Sequence, residues 1–148
     1  MKKLQLRRLS FCASFICAVA AAGSTQLETI EIGVNSSSYQ VELAATAEHR
    51  QRGLMFREKL DPGKGMLFVY AKSGDHRIWM KNTLIPLRVI WIDEAYRVIS
   101  IQRLLPCETS PCMVYAAPGP SRFILELGDF EHSIKVNDRV RGISISTW

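Results

Sequence analysis

The chain has 148 residues, 47% of them hydrophobic, enough for one packed core and too few for a second domain of ordinary size. Its formal charge of +5 comes from 19 Lys and Arg against 14 Asp and Glu, but Lys2, Lys3, Arg7 and Arg8 all fall in the first 22 residues, where no acid occurs. Without that segment 15 basic residues face 14 acidic ones, so the broad basic footprint of a nucleic-acid-binding protein is missing and no nucleic-acid partner is expected.

Those first residues have the three parts of an export signal. A basic n-region precedes an apolar run from Leu9 to Val19, and Ala20-Ala21-Ala22 offers a small-residue cleavage site before Gly23. The pattern predicts a signal peptide over residues 1–22, a single β-rich domain over 23–148, and a periplasmic or secreted location. The apolar run is shorter than the roughly 20 residues that cross a bilayer, so no stable membrane insertion is expected after cleavage. Cys12 and Cys17 follow Phe11 and Ile16 rather than small residues, so lipid attachment is not expected either. Cys107 and Cys112 then remain, and in an oxidising compartment they are expected to form one disulfide.

Downstream, Thr29 to Val34 and Tyr39 to Ala44 alternate in polarity around Asn35-Ser36-Ser37-Ser38, which predicts a hairpin. Thr46 is a suitable N-cap for a short helix near residues 47–53, with Glu48 in its first turn and Gly53 at its end. Leu54, Met55 and Phe56 are expected to pack the helix end onto a sheet, leaving Arg57 to Lys59 wet. After the Asp61-Pro62-Gly63 turn, Met66 to Tyr70 and Leu87 to Ile92 are continuous apolar runs of strand length, suited to burial on both faces. Between them His76 to Lys81 alternates, with Ile78 and Met80 on one side and Arg77, Trp79 and Lys81 on the other. Arg97 to Leu104 predicts a strand with one polar face. Leu105 to Ser121, rich in proline and holding both cysteines, predicts a long loop. Arg122 to Leu127 and Arg139 to Ser146 predict the last strands, with a short helical turn between Gly128 and Asp138. The sum is a mainly β domain, a two-layer sandwich or jelly-roll-like barrel with one short helix.

Four blocks, GLMFRE (Gly53 to Glu58), GMLFVY (Gly65 to Tyr70), WMKNTLIPL (Trp79 to Leu87) and IWID (Ile90 to Asp93), resemble the signature of the domain-of-unknown-function 192 family. The resemblance covers roughly residues 42 to 140. It implies a compact β-rich fold and brings no assigned chemistry. The chain departs from the pattern in three places. Arg88 follows Leu87 where the family commonly has Asp, the segment from Leu127 to Ile134 is shorter than usual, and Asn137 stands where glycine is common, so that end is expected to fold differently.

Catalytic constellations are thin. His49, His76 and His132 are dispersed, with no metalloprotease helix, serine elbow or phosphate loop. Asp93 and Glu94 read as turn residues. A lone cysteine pair is weak support for zinc, and no cofactor is expected. The preferred reading is a non-enzymatic binding or accessory module. Its small-molecule or protein partner would meet Arg57, Trp79, Lys81, Asn82 and Thr83: an indole as a flat apolar surface, cations for carboxylate or phosphate, an amide for direction. The opposing view has Trp79 buried under a loop. Two other classes stand beside it: a metal-handling protein using Met55, Met66 and Met80 near His76 for Cu(I), and a hydrolytic enzyme with an unrecognised site.

Overall fold

A computed structural model describes residues 26–144. The expected signal peptide and the final residues of the last expected strand lie outside the described residues. Alternation of apolar and polar side chains produces the first hairpin, β1 (Thr29–Val34) with β2 (Ser37–Ala44). Val34 pairs with Ser37, so the turn is the two residues Asn35 and Ser36, tighter than the four-residue turn expected. Asn35 supplies the left-handed φ of 54° that so short a turn requires.

Helix α1 (Ala47–Arg52) starts where Thr46 is extended and its hydroxyl accepts the His49 N–H at 3.1 Å. Gly53 ends it at φ 48°. Of the three residues expected to pin the helix end, Leu54 is buried, while Phe56 is 65% exposed at φ 63°. Arg57, expected to be wet, is half-buried in an ion pair with Glu42.

The remaining strands are β3 (Lys64–Gly74), β4 (Arg77–Trp79), β5 (Leu87–Ile92), β6 (Val98–Leu104), β7 (Val114–Ala116), β8 (Ser121–Gly128) and β9 (Val140–Arg141). Seven of the nine described strands form one sheet in the order β6-β5-β8-β3-β2-β1-β9, and β4 pairs with β7 in a second, small sheet. Only the β2–β3 pair within the large sheet is parallel, and α1 lies in the crossover such a pair demands. The long loop expected from Leu105 to Ser121 therefore contains a strand. Three residues between a disulfide and a run of prolines are too few to show a period. Its Cys107–Cys112 bridge is present. Among the described residues the last strand spans two residues, and turns at Asp129–Phe130 and Val136–Asn137 replace the expected helical turn. Asn137 takes φ 75°, the conformation glycine would adopt there.

The large sheet curls until its ends meet. The Val98 N–H donates to Asp138 O at 2.9 Å, the Asn137 N–H to Val98 O at 2.8 Å and the Val140 N–H to Tyr96 O at 2.9 Å, and Arg97 bridges Arg139. The fold is thus mainly β and barrel-like. Ile32, Val41, Leu67, Ile90, Phe123 and Leu125 fill the interior of the curl. A second apolar layer, with Leu54, Met66, Phe68, Ile78, Met80, Val89, Trp91 and Ile124, lies on the outer face. Strands β3, β5 and β8 are buried on both sides between these layers, which is why they read as unbroken apolar runs. No helix among the described residues is long and apolar enough to cross a membrane.

Candidate functional site

The outer layer is roofed by α1 and by β4, and the gap between those two elements is the candidate site. On β4, Ile78 and Met80 just after it point into the layer, while Arg77, Trp79 and Lys81 point out. Trp79 is 39% exposed, so its indole is half-sunk in the rim, neither core nor a free platform. The Lys81 ammonium lies 5.2 Å from the centre of that ring, a cation–π contact.

Opposite stands Phe56. Its N–H donates to the Asn82 carbonyl at 2.8 Å, and Asn82 is itself at φ 54°. Asparagine tolerates that conformation, but a phenylalanine there is strained. The tie to Asn82 holds the strained residue in place and leaves its ring in water. Strain and apolar exposure at one residue are the pattern found where a side chain is kept for binding.

Phe56, Trp79, Lys81 and Asn82, with Glu48, Gln51, Arg52 and Met55, line a cleft of about 370 Å³. Arg52 and Lys81 are its cations and Glu48 the acid among its lining residues. Arg57 faces an adjoining cleft of about 620 Å³ that shares Glu48, Arg52, Met55 and Phe56. There its guanidinium donates two bonds to the Glu42 carboxylate, at 2.7 and 2.6 Å, so its charge is already matched. The structure thus brings Trp79, Lys81 and Asn82 together and sets Arg57 apart.

Thr83, expected at the surface, is 7% exposed. It lines a cavity of about 20 Å³ under the first cleft, whose walls include Gln51, Arg52, Met55, Trp79 and Lys81, also residues of the cleft. Glu126 lines the same cavity. It pairs in register with Met66 and Val89 and is 4% exposed. Burial, the cause that acts on it among the described residues, pushes its carboxyl up to about 8. Sequence reasoning passed over this residue. The available signal was an acid inside Phe-Ile-Leu-Glu-Leu, a run too apolar for a strand with a wet face.

The remaining sequence candidates are accounted for by their neighbours. Met66 and Met80 pack in the outer apolar layer, whereas the Met55 sulfur lines the cleft, 3.9 Å from the Asn82 amide nitrogen. The His76 ring stacks on Tyr70 at 3.5 Å between centres and meets the Lys72 carbonyl at 2.9 Å. Asp93 accepts the Arg97 N–H at 2.8 Å and shapes the β5–β6 turn. Arg88 alternates with Leu87 and Val89 of the outer layer, so it belongs to the opposite face of β5. The departure at Arg88 therefore does not touch the cleft.

Comparison with known proteins agrees with this architecture. The model of the DUF192 family, described as an uncharacterized ACR, matches residues 29–142, and the chain belongs to that family. A crystal structure from Sinorhizobium meliloti, described as a candidate transcription regulator, is similar at 25% identity and TM-score 0.74, covering 81% of this chain and 98% of its own. A protein of unknown function from Novosphingobium aromaticivorans is similar at 28% identity and TM-score 0.71, covering 90% of this chain and 99% of its own. No curated protein matches the chain.

Proposed function

We propose that the protein is an exported, non-enzymatic binding module whose ligand is a small organic anion with an apolar face, held in the cleft between α1 and β4. The observation that carries this is Phe56, strained and 65% exposed across the cleft from Trp79, with Arg52 and Lys81 supplying charge for a carboxylate or phosphate. The Sinorhizobium meliloti protein is described as a candidate transcription regulator; a nucleic-acid-binding role has less support here, because 15 basic against 14 acidic residues after position 22 leave a surplus of only one charge.

The test is calorimetric titration with cyclohexanecarboxylate and phenyl phosphate. Saturable binding is expected, weakened about tenfold or more in Phe56→Asn, which keeps a residue tolerant of φ 63°, and in Lys81→Ala. Neither variant should shift the melting temperature by more than a few degrees. Absence of saturable binding, or variants that bind as the wild type does, would remove the reading.

Export rests on the n-, h- and c-region pattern of residues 1–22 and on a disulfide suited to an oxidising compartment. Protein recovered from the periplasm should have a mass beginning near Gly23. A full-length mass, or retention in carbonate-washed membranes, would contradict export.

A further inference from the structure

Beneath the cleft, the cavity floored by Glu126 is too small for a ring. At about 20 Å³ it admits one water-sized group, while the cleft above it, at about 370 Å³, has room for a six-membered ring. The two spaces are neighbours that share lining residues, among them Arg52, Trp79 and Lys81. A ligand lying between Phe56 and Trp79 would therefore sit next to the space that Glu126 lines.

We propose that this cavity is a subsite for one hydroxyl group of the ligand, so that the anion bound in the cleft is a hydroxylated ring acid, a sugar carboxylate or a sugar phosphate. This rests on the binding reading above and narrows it to a ligand class. Three features select a hydroxyl over other small groups. Arg50, Arg52 and Lys81 line the cavity and repel an ammonium. A methyl would make no hydrogen bond to the buried Glu126 carboxyl. A hydroxyl both donates and accepts, and it matches a carboxyl that is protonated at neutral pH and does the same. The hydroxyl of Thr83 is a second polar group on the wall. The ring would rest its C–H face on the indole, with its acid group toward Arg52 and Lys81.

The experiment compares glucuronate, glucose 6-phosphate and cyclohexanecarboxylate, the last carrying acid and ring without hydroxyls, on wild type, Glu126→Gln and Glu126→Leu. In the wild type at least one sugar acid should bind about tenfold or more tightly than cyclohexanecarboxylate, the discrimination a satisfied buried polar group provides. Whichever sugar binds better separates the carboxylate from the phosphate source. Glu126→Leu should abolish the preference and leave cyclohexanecarboxylate binding unchanged, and Glu126→Gln should keep part of it. Equal binding of all three probes, or a preference that survives Glu126→Leu, overturns the subsite and leaves the cleft reading intact. Failure of every probe to bind overturns both.

Discussion

Wild-type protein is expected to lose roughly 3 to 4 kcal/mol of stability between pH 5 and pH 8 through Glu126, and Glu126→Gln is expected to lose none of it. The folded carboxyl titrates near 8 and the unfolded one near 4.5. Between those values the unfolded chain has released the proton that the folded chain still holds, so the unfolded state binds fewer protons and stability falls as pH rises. The contribution is fully present below the unfolded value and gone above the folded one. The Tyr70 phenol, itself raised chiefly by burial, stays protonated through this window, and Arg50, Arg52 and Lys81 on the cavity walls are common to wild type and variant. Urea unfolding at pH 5, 6, 7 and 8 makes the comparison, since the other titrating groups are common to both proteins. Parallel stability profiles for wild type and Glu126→Gln would show that the carboxyl is not buried unpaired in solution.

Much of the architecture was legible because β3, β5 and β8 are covered on both faces, and continuous apolar runs have no other economical explanation in a chain this short. The β4 parity was equally plain: Ile78 and Met80 inward, Arg77, Trp79 and Lys81 outward. What escaped depended on tertiary partners. Phe56 looked like core filler because sequence carries no sign that its backbone is tied to Asn82 in a left-handed conformation. Arg57 looked free because Glu42, fifteen residues away, reaches it only once β2 and the segment after α1 are folded together. β7 is defined by its pairing with β4 and has no period of its own. Glu126 was overlooked because attention to polar residues favoured stripes and clusters, whereas the informative one was solitary. In each case the missed residue is one whose role arises from what packs against it.

Met80→Ala should destabilise the protein by about 2 to 5 kcal/mol, while Lys81→Ala, one residue on, should cost no more than about 0.5 to 1 kcal/mol. Met80 is 1% exposed in the layer formed with Leu54, Phe68, Ile78 and Trp91. Its truncation leaves a cavity between β4 and the sheet, and such interiors relax only in part. Lys81 is exposed and contributes a cation–π contact at 5.2 Å from the Trp79 centre, whose loss sets the upper limit of its effect. Trp79, 39% exposed, lies between the two. Burial of somewhat more than half of a large indole gives an expected cost for Trp79→Ala of about 2 to 3 kcal/mol. Its removal therefore confuses binding with folding, and Phe56→Asn and Lys81→Ala are the cleaner probes of the cleft. Chemical denaturation of the three variants at pH 6 measures the series. Similar losses for Met80→Ala and Lys81→Ala would mean that β4 does not present alternate faces to core and water, and the cleft between α1 and β4 would lose the geometry on which its binding role depends.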